Sequence, residues 1–163
     1  MGSSRGNTFW VSASATPSAD PFDLLVANIQ ALRAKGGWST RALAQQAHVS
    51  RSSVVDLEAG HAKLSLRIVD KLARALDVKT GSLLGKRPLA RDEADGLIEE
   101  VLAQNLIAAR KRLMLTQDAL SQQSGVSRAL IADIERQARN PSLQTLAKLA
   151  ASLELSLEAL LSK

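Results

Sequence analysis

Two short stretches of this 163-residue chain place residues that could do chemistry at the same spacing. They are Ser50-Arg51-Ser52 with Asp56, and Ser127-Arg128-Ala129 with Asp133. A guanidinium presents a fixed fork of donors that fits the O6 and N7 edge of guanine, and a carboxylate one turn later can accept from cytosine N4. That carboxylate is also within helical reach of an arginine. It is therefore read first as an arginine partner or a contact for another molecule, and second as a reader of bases. Ala129 and Ala132 offer only a methyl contact to thymine, or nothing. Helix N-termini favour phosphate whatever side chains they carry. Catalysis has no comparable foundation. The chain has two histidines, His48 and His61, and no cysteine; it has no Ser/His/Asp arrangement, no glycine-rich phosphate cradle and no metal-ligand spacing. Neither enzymatic activity nor a cofactor or metal is expected.

Both stretches occupy the same place in a repeated unit. Residues Leu25–Leu84 and Leu102–Leu161 align without a gap at an offset of 77, with roughly a third of the positions identical. That period is too long for a solenoid and fits two copies of a small domain. Asp20-Pro21 opens the first helix, Phe22, Leu25, Ile29 and Leu32 recur at helical spacing, and Gly36-Gly37 stops it. Ser39 caps a second helix through Gln46, Ser50 caps a third that ends before Gly60, and Ser65 starts a fourth. A fifth short turn comes next, around Lys79–Leu84. The second copy predicts helices near Leu97–Leu113, Gln117–Gln123, Arg128–Arg136, Leu143–Leu153 and Ser156–Leu161. Leu97, Ile98 and Val101 extend its first apolar stripe upstream and are candidates to pack the copies together. The expected division is a flexible arm at 1–19, a domain at 20–84, a linker at 85–96 and a domain at 97–163. Phe9-Trp10-Val11 interrupts the polar arm. It is read first as part of a floppy tail, with docking on a groove of the domain or on a partner as alternatives.

The second and third helices of each copy need a fixed crossing angle if the third is to enter a DNA major groove. A small residue is required where they touch (Ala44, Ser121), and apolar residues must lock them: Leu43, Val49, Val54 and Leu57, matched by Leu120, Val126, Ile131 and Ile134. The turn requires a positive φ, for which the second copy has Gly125. The first has His48, a type enriched in that region, so His48 is read as a turn residue and not as a ligand.

Only 2% of residues are aromatic, which leaves Leu, Ile, Val and Ala to build the cores, a palette suited to helices. The net charge of +5 points to an anionic partner. It is unevenly placed. Residues 24–84 hold nine Lys/Arg and four Asp/Glu, whereas residues 99–161 hold seven of each. No apolar run approaches the ~20 residues of a membrane span, the N-terminus makes a poor signal peptide, and the cytoplasm is the expected compartment.

The repeated unit resembles the phage-repressor helix-turn-helix family (Cro and lambda-repressor-like, also called XRE). The second copy is the closer match, through Thr116-Gln117, Leu120, Gly125-Val126-Ser127-Arg128, Asp133-Ile134-Glu135-Arg136 and Arg139-Asn140-Pro141-Ser142-Leu143. The resemblance implies an all-α fold of two tandem five-helix domains. It places Gln117 on a DNA phosphate, with Thr40 and Arg41 opening the corresponding helix of the first copy. It sets Ser50 and Ser127 against the backbone, and Arg51-Ser52 and Arg128-Ala129 in the groove, with Asp56 and Asp133 one turn on. It implies backbone contacts from Arg136, Arg139 and Asn140, or His61 and Lys63. It also implies structural ion pairs Arg33–Glu58 and Arg110–Glu135, tying first helix to third. Gln137 departs from the pattern by replacing a usual glycine, and the groove face of the second copy is rather apolar. One copy could therefore read bases while the other positions or dimerises.

In function, the resemblance implies a sequence-specific regulator of transcription, of the repressor kind, that binds double-stranded DNA. Recognition helices at about 50–58 and 127–136 would enter the major groove. The chain would act as a homodimer or as an intramolecular pseudo-dimer, on an inverted repeat if the copies are related by a twofold axis and on a direct repeat if by translation. The alternative is an antitoxin or partner-binding module that also binds its own promoter, with a toxin or regulator as protein partner.

Overall fold

The computed structural model describes residues 20–60, 63–92 and 95–163. Phe9-Trp10-Val11 and His61 lie outside the described residues. In chain order the helices are α1 (Pro21–Lys35), α2 (Thr40–Gln46), α3 (Arg51–Glu58), α4 (Leu66–Ala75), a 3-10 turn (Gly81–Leu84), α5 (Ile98–Arg112), α6 (Gln117–Ser124), α7 (Arg128–Glu135), α8 (Leu143–Ser152) and α9 (Leu157–Leu160). The last element of the first copy is thus a 3-10 turn where the second has one turn of α-helix.

Side-chain caps fix where these helices start. Asp20, Ser39, Ser50, Thr116, Ser127, Ser142 and Ser156 each accept a backbone N–H from the first turn of the helix they open, which satisfies donors the helix itself cannot. Ser65 begins α4 without such a bond. Helix ends use left-handed residues at matched places: Gly37 and Met114, His48 and Gly125, Gly60 and Gln137, Asp77 and Glu154. His48 therefore takes the role of Gly125, at φ 51° against 67°.

Leu25 and Ile29 of α1 pack on Leu43, Val54 and Leu57, and their counterparts Leu102 and Leu106 on Leu120, Ile131 and Ile134, within one cluster that runs through both copies. Ala44 is buried where α2 meets α3. Ile98 and Val101 are buried as well, whereas Leu97 is 56% exposed, because the helix begins one residue later and leaves it outside.

The copies meet through a reciprocal contact. Leu66 N–H donates to Pro141 O, and Leu143 N–H donates to Leu64 O, both at 2.9 Å, around an antiparallel bridge of Ser65 with Ser142. Ser65 faces its own equivalent 77 positions away, and exchanging every residue for its equivalent turns one bond into the other, Leu66 becoming Leu143 and Pro141 becoming Leu64. Contacts that map onto themselves when partners are exchanged are the mark of a twofold axis; a translation would pair unlike surfaces. Close by, the 3-10 turn of the first copy packs against α9 of the second.

Residues 85–92 do not stretch between the domains. The segment folds back on the first copy, with Lys79 N–H bonded to Leu89 O, Arg91 N–H to Asp77 O, and Leu89 N–H to Ser82 Oγ.

Candidate nucleic-acid interface

In the first copy, α3 presents Arg51, Ser52, Val55 and Asp56, all exposed. Ser50 Oγ accepts from Ser53 N–H at 3.1 Å and bonds the hydroxyls of Ser52 and Ser53 at 2.9 and 2.7 Å. Among the described residues, neither Arg51 nor Asp56 has a partner, so this carboxylate orients no arginine. Arg41, exposed at the start of α2, is also without a partner among them. Thr40 is half-buried. Val55 escaped the sequence reading. It is 44% exposed on α3, and an apolar side chain there suits a thymine methyl.

The face of the second copy is internally neutralised. Arg128 Nε lies 3.4 Å from Asp118 Oδ1, both side chains exposed. Asp133 Oδ1 accepts from Arg136 at 2.6 Å and its Oδ2 from Arg139 at 3.3 Å, and hydrogen bonds from Arg136 and then Arg139 hold its carboxyl below the ordinary aspartate range. Ala129 is exposed. Asp118 was also missed by sequence reading, yet a signal was present: it aligns with Arg41, an acid where the other copy has a base.

Beneath both faces lie the ion pairs. Arg33 donates from Nε and Nη2 to the two Glu58 oxygens at 2.6 and 2.9 Å, and from Nη1 to Trp38 O at 2.8 Å. Arg110 repeats this with Glu135 at 2.7 and 3.1 Å and with Leu115 O at 2.9 Å. Hydrogen bonds to the carboxylates raise both guanidinium pKa values. Burial pushes the Glu135 carboxyl up, but bonds from Arg110 and Gln117 and the nearby positive charges outweigh it, and the net shift is downward. Each pair ties the first helix of a copy to the end of its third helix and so sets the angle of the groove face. Gln117 Nε2 donates to Glu135 Oε2 at 2.8 Å, which makes it part of this scaffold; Thr40 supplies no counterpart.

The loops after α3 and α7 run into the pseudo-twofold seam. Asn140 Oδ1 accepts the Arg67 N–H at 3.0 Å, so Asn140 joins the copies at the edge of the face. Lys63, its counterpart, is exposed, as are Arg136 and Arg139. The structure thus sets α3 and α7, each with an arginine at its first residue, as twofold mates on one molecule. Such an arrangement can present two guanidinium-bearing helices to a partner that itself has twofold symmetry.

Comparison with known proteins bears on both copies. A helix-turn-helix family model (HTH_3) matches residues 29–83 and again residues 106–160. The chain is 39% identical over 62 residues to the immunity repressor protein of Bacillus phage phi105, covering 38% of this chain and 43% of that protein. It is 39% identical over 66 residues to control protein C.SmaI of Serratia marcescens, covering 40% and 79%. The chain therefore spans less than half the length of the phage repressor. Among solved structures, an HTH_3 family transcriptional regulator from Vibrio cholerae is similar at 38% identity and a TM-score of 0.38, covering 39% of this chain and 35% of that one. With the family model falling on both repeats and covering more than half of the chain, this protein belongs to the helix-turn-helix family HTH_3 and carries its domain twice.

Proposed function

We infer that this protein is a sequence-specific transcriptional repressor that binds double-stranded DNA as a covalent pseudo-dimer. The reading of repression rests on similarity to the phage immunity repressor, and similarity to control protein C.SmaI supports a regulatory role. The observation that carries the mode of binding is the reciprocal bridge at Ser65 and Ser142. A twofold axis between the recognition helices matches the local twofold symmetry of duplex DNA, so one chain addresses an inverted repeat, as a symmetric dimer would, with half-sites ~34 Å apart. Arg51 and Arg128 are the base readers, each able to pair with guanine O6 and N7. Ser50, Ser127 and the helix N-termini behind them meet phosphate, joined by Arg41, Lys63, Arg136 and Arg139.

The test is selection of bound sequences from a random duplex pool with the full chain. The expected product is an inverted repeat with one guanine-containing half-site for each copy. A direct repeat would overturn the pseudo-dimer, and enrichment of no sequence would overturn base-specific binding. Binding that does not weaken with salt would point to a protein partner in place of DNA.

A further inference from the structure

A groove of about 740 Å³ opens between the repeats on one side of the seam. Leu24, Leu84 and Leu89 line it from the first copy, and Ala147, Ala151 and Leu155 from the second. Its pseudo-twofold mate lies on the other side, where Val101 stands for Leu24, Leu161 for Leu84 and Asp70 for Ala147, each 77 positions away. The mate measures only about 30 Å³. The difference lies in what enters it. Arg91, Asp95 and Gly96, from the segment leading into α5, line and close the mate, and Lys79 fastens that segment through Asp92 at 2.7 Å and Asp95 at 3.3 Å.

The segment that leads into α1 at the equivalent place is residues 14–19, and α1 starts at Pro21, itself on the groove wall. Wall chemistry obeys the same logic. The mate carries Asp70, Lys79 and Thr80 and holds a charged segment; the groove carries Ala147, Ser156 and Leu157 at those positions, and although Lys86, Arg87 and Glu158 also line it, its wall is mostly apolar and suits an apolar segment. The chain before α1 offers one run of large apolar side chains, Phe9-Trp10-Val11, which includes two of the four aromatic residues of the protein. From Trp10 to Asp20 the chain reaches ~33 Å at ~3.3 Å per residue, so length does not prevent it.

We propose that this groove seats the protein's own N-terminal segment, with Phe9-Trp10-Val11 packed between α1 of the first copy and α8 of the second. The segment closes one side of the inter-repeat seam as Arg91, Asp95 and Gly96 close the other.

The chain contains no cysteine, which permits a clean test in the full-length protein. Ala151 is exposed on the groove wall, so Ala151→Cys spares the core. Its alkylation should be several-fold slower than in the same variant carrying Phe9→Ser and Trp10→Ser. Under mild oxidation Val11→Cys/Ala151→Cys should close an intramolecular disulfide, and Val11→Cys/Gln122→Cys, with its second thiol on α6, should not. Melting curves of each variant confirm that it is folded. Alkylation rates that ignore Phe9 and Trp10, meaning an empty groove or another occupant, overturn the proposal. So does a disulfide that forms between chains, which would assign the groove to a second copy.

Discussion

At the scale of single residues, side chains that share a place in the two copies do not share a cost. Met114 is 91% exposed, holds φ at +53° and occupies the place of Gly37. A residue with a Cβ loses roughly 1–2 kcal/mol in the left-handed region, while glycine loses roughly 0.5–1 kcal/mol of chain entropy. Met114→Gly should therefore stabilise the protein by about 0.5–1 kcal/mol in denaturant titration, with no loss of packing because the side chain touches little. The ion pairs act the other way. Arg110 and Glu135 are 15% and 8% exposed in their side chains, and removing one member of a buried pair strands the other. Arg110→Ala should cost about 3–5 kcal/mol. The Glu135 carboxyl is held below its ordinary value when folded. Its contribution to stability is thus present above the ordinary carboxylate range and is lost as the pH falls through the lower folded value. Glu135→Gln should flatten that acid limb in stability measured against pH. The pairs were legible because residue type and spacing recur in both copies. The left-handed state of His48 was legible from its alignment with Gly125. Met114 carried the same signal, since it aligns with Gly37, but methionine is not a type enriched in that region and the reading passed it over. The bond from Gln117 to Glu135 was not legible, because it depends on a side-chain direction that only the assembled scaffold sets.

At the scale of elements, the two helix pairs present different electrostatic faces on one framework. In α2 and α3, Arg41 and Arg51 stand without partners among the described residues; in α6 and α7, Asp118 sits beside Arg128, and Asp133 holds Arg136 and Arg139. The charge imbalance between the copies was visible in composition, and the pairing behind it was not, because Asp118 and Arg128 meet only after the helices cross. A carboxylate facing phosphate is repulsive, and an arginine engaged by a carboxylate must exchange that contact before reading a base. Arg51→Ala should accordingly weaken specific binding by about 1–3 kcal/mol, with a smaller loss for Arg128→Ala. Asp118→Arg, which copies Arg41 onto the second face, should raise affinity and steepen the salt dependence by about one phosphate contact. Titration of both variants against the selected site and against random duplex, at several salt concentrations, separates the effects. Equal losses on the two duplexes would assign Arg51 to phosphate.

At the scale of the whole molecule, the spacing of the recognition helices depends on how closely the copies approach, and Gly81 lies where they touch. Gly81 opens the 3-10 turn that packs on α9. A Cβ placed there would lie 2.8 Å from Leu161 O and 2.9 Å from Glu158 O and would also collide with Ser162 Oγ. Two of those neighbours are backbone, which cannot swing aside as a side-chain end can. The aligned residue in the second copy is Glu158, so the alignment showed a substitution without showing that the glycine lies against the partner copy's backbone. Relations of this kind, like the Ser65–Ser142 bridge, join residues far apart in sequence and have no local signature. Gly81→Leu should force the last elements of the copies apart while leaving each helix-turn-helix core intact, since Leu43, Val54 and Leu57 lie elsewhere in the first copy. Helical content in circular dichroism should stay near that of the parent. Affinity for the full inverted repeat should fall toward that for a single half-site, because the second helix no longer arrives in register and the gain from linking two sites on one chain is lost. Affinity for an isolated half-site should not change. Unchanged binding to the full repeat would show that the contact between the 3-10 turn and α9 does not set the spacing. A matching fall on the isolated half-site would place the damage inside the first copy.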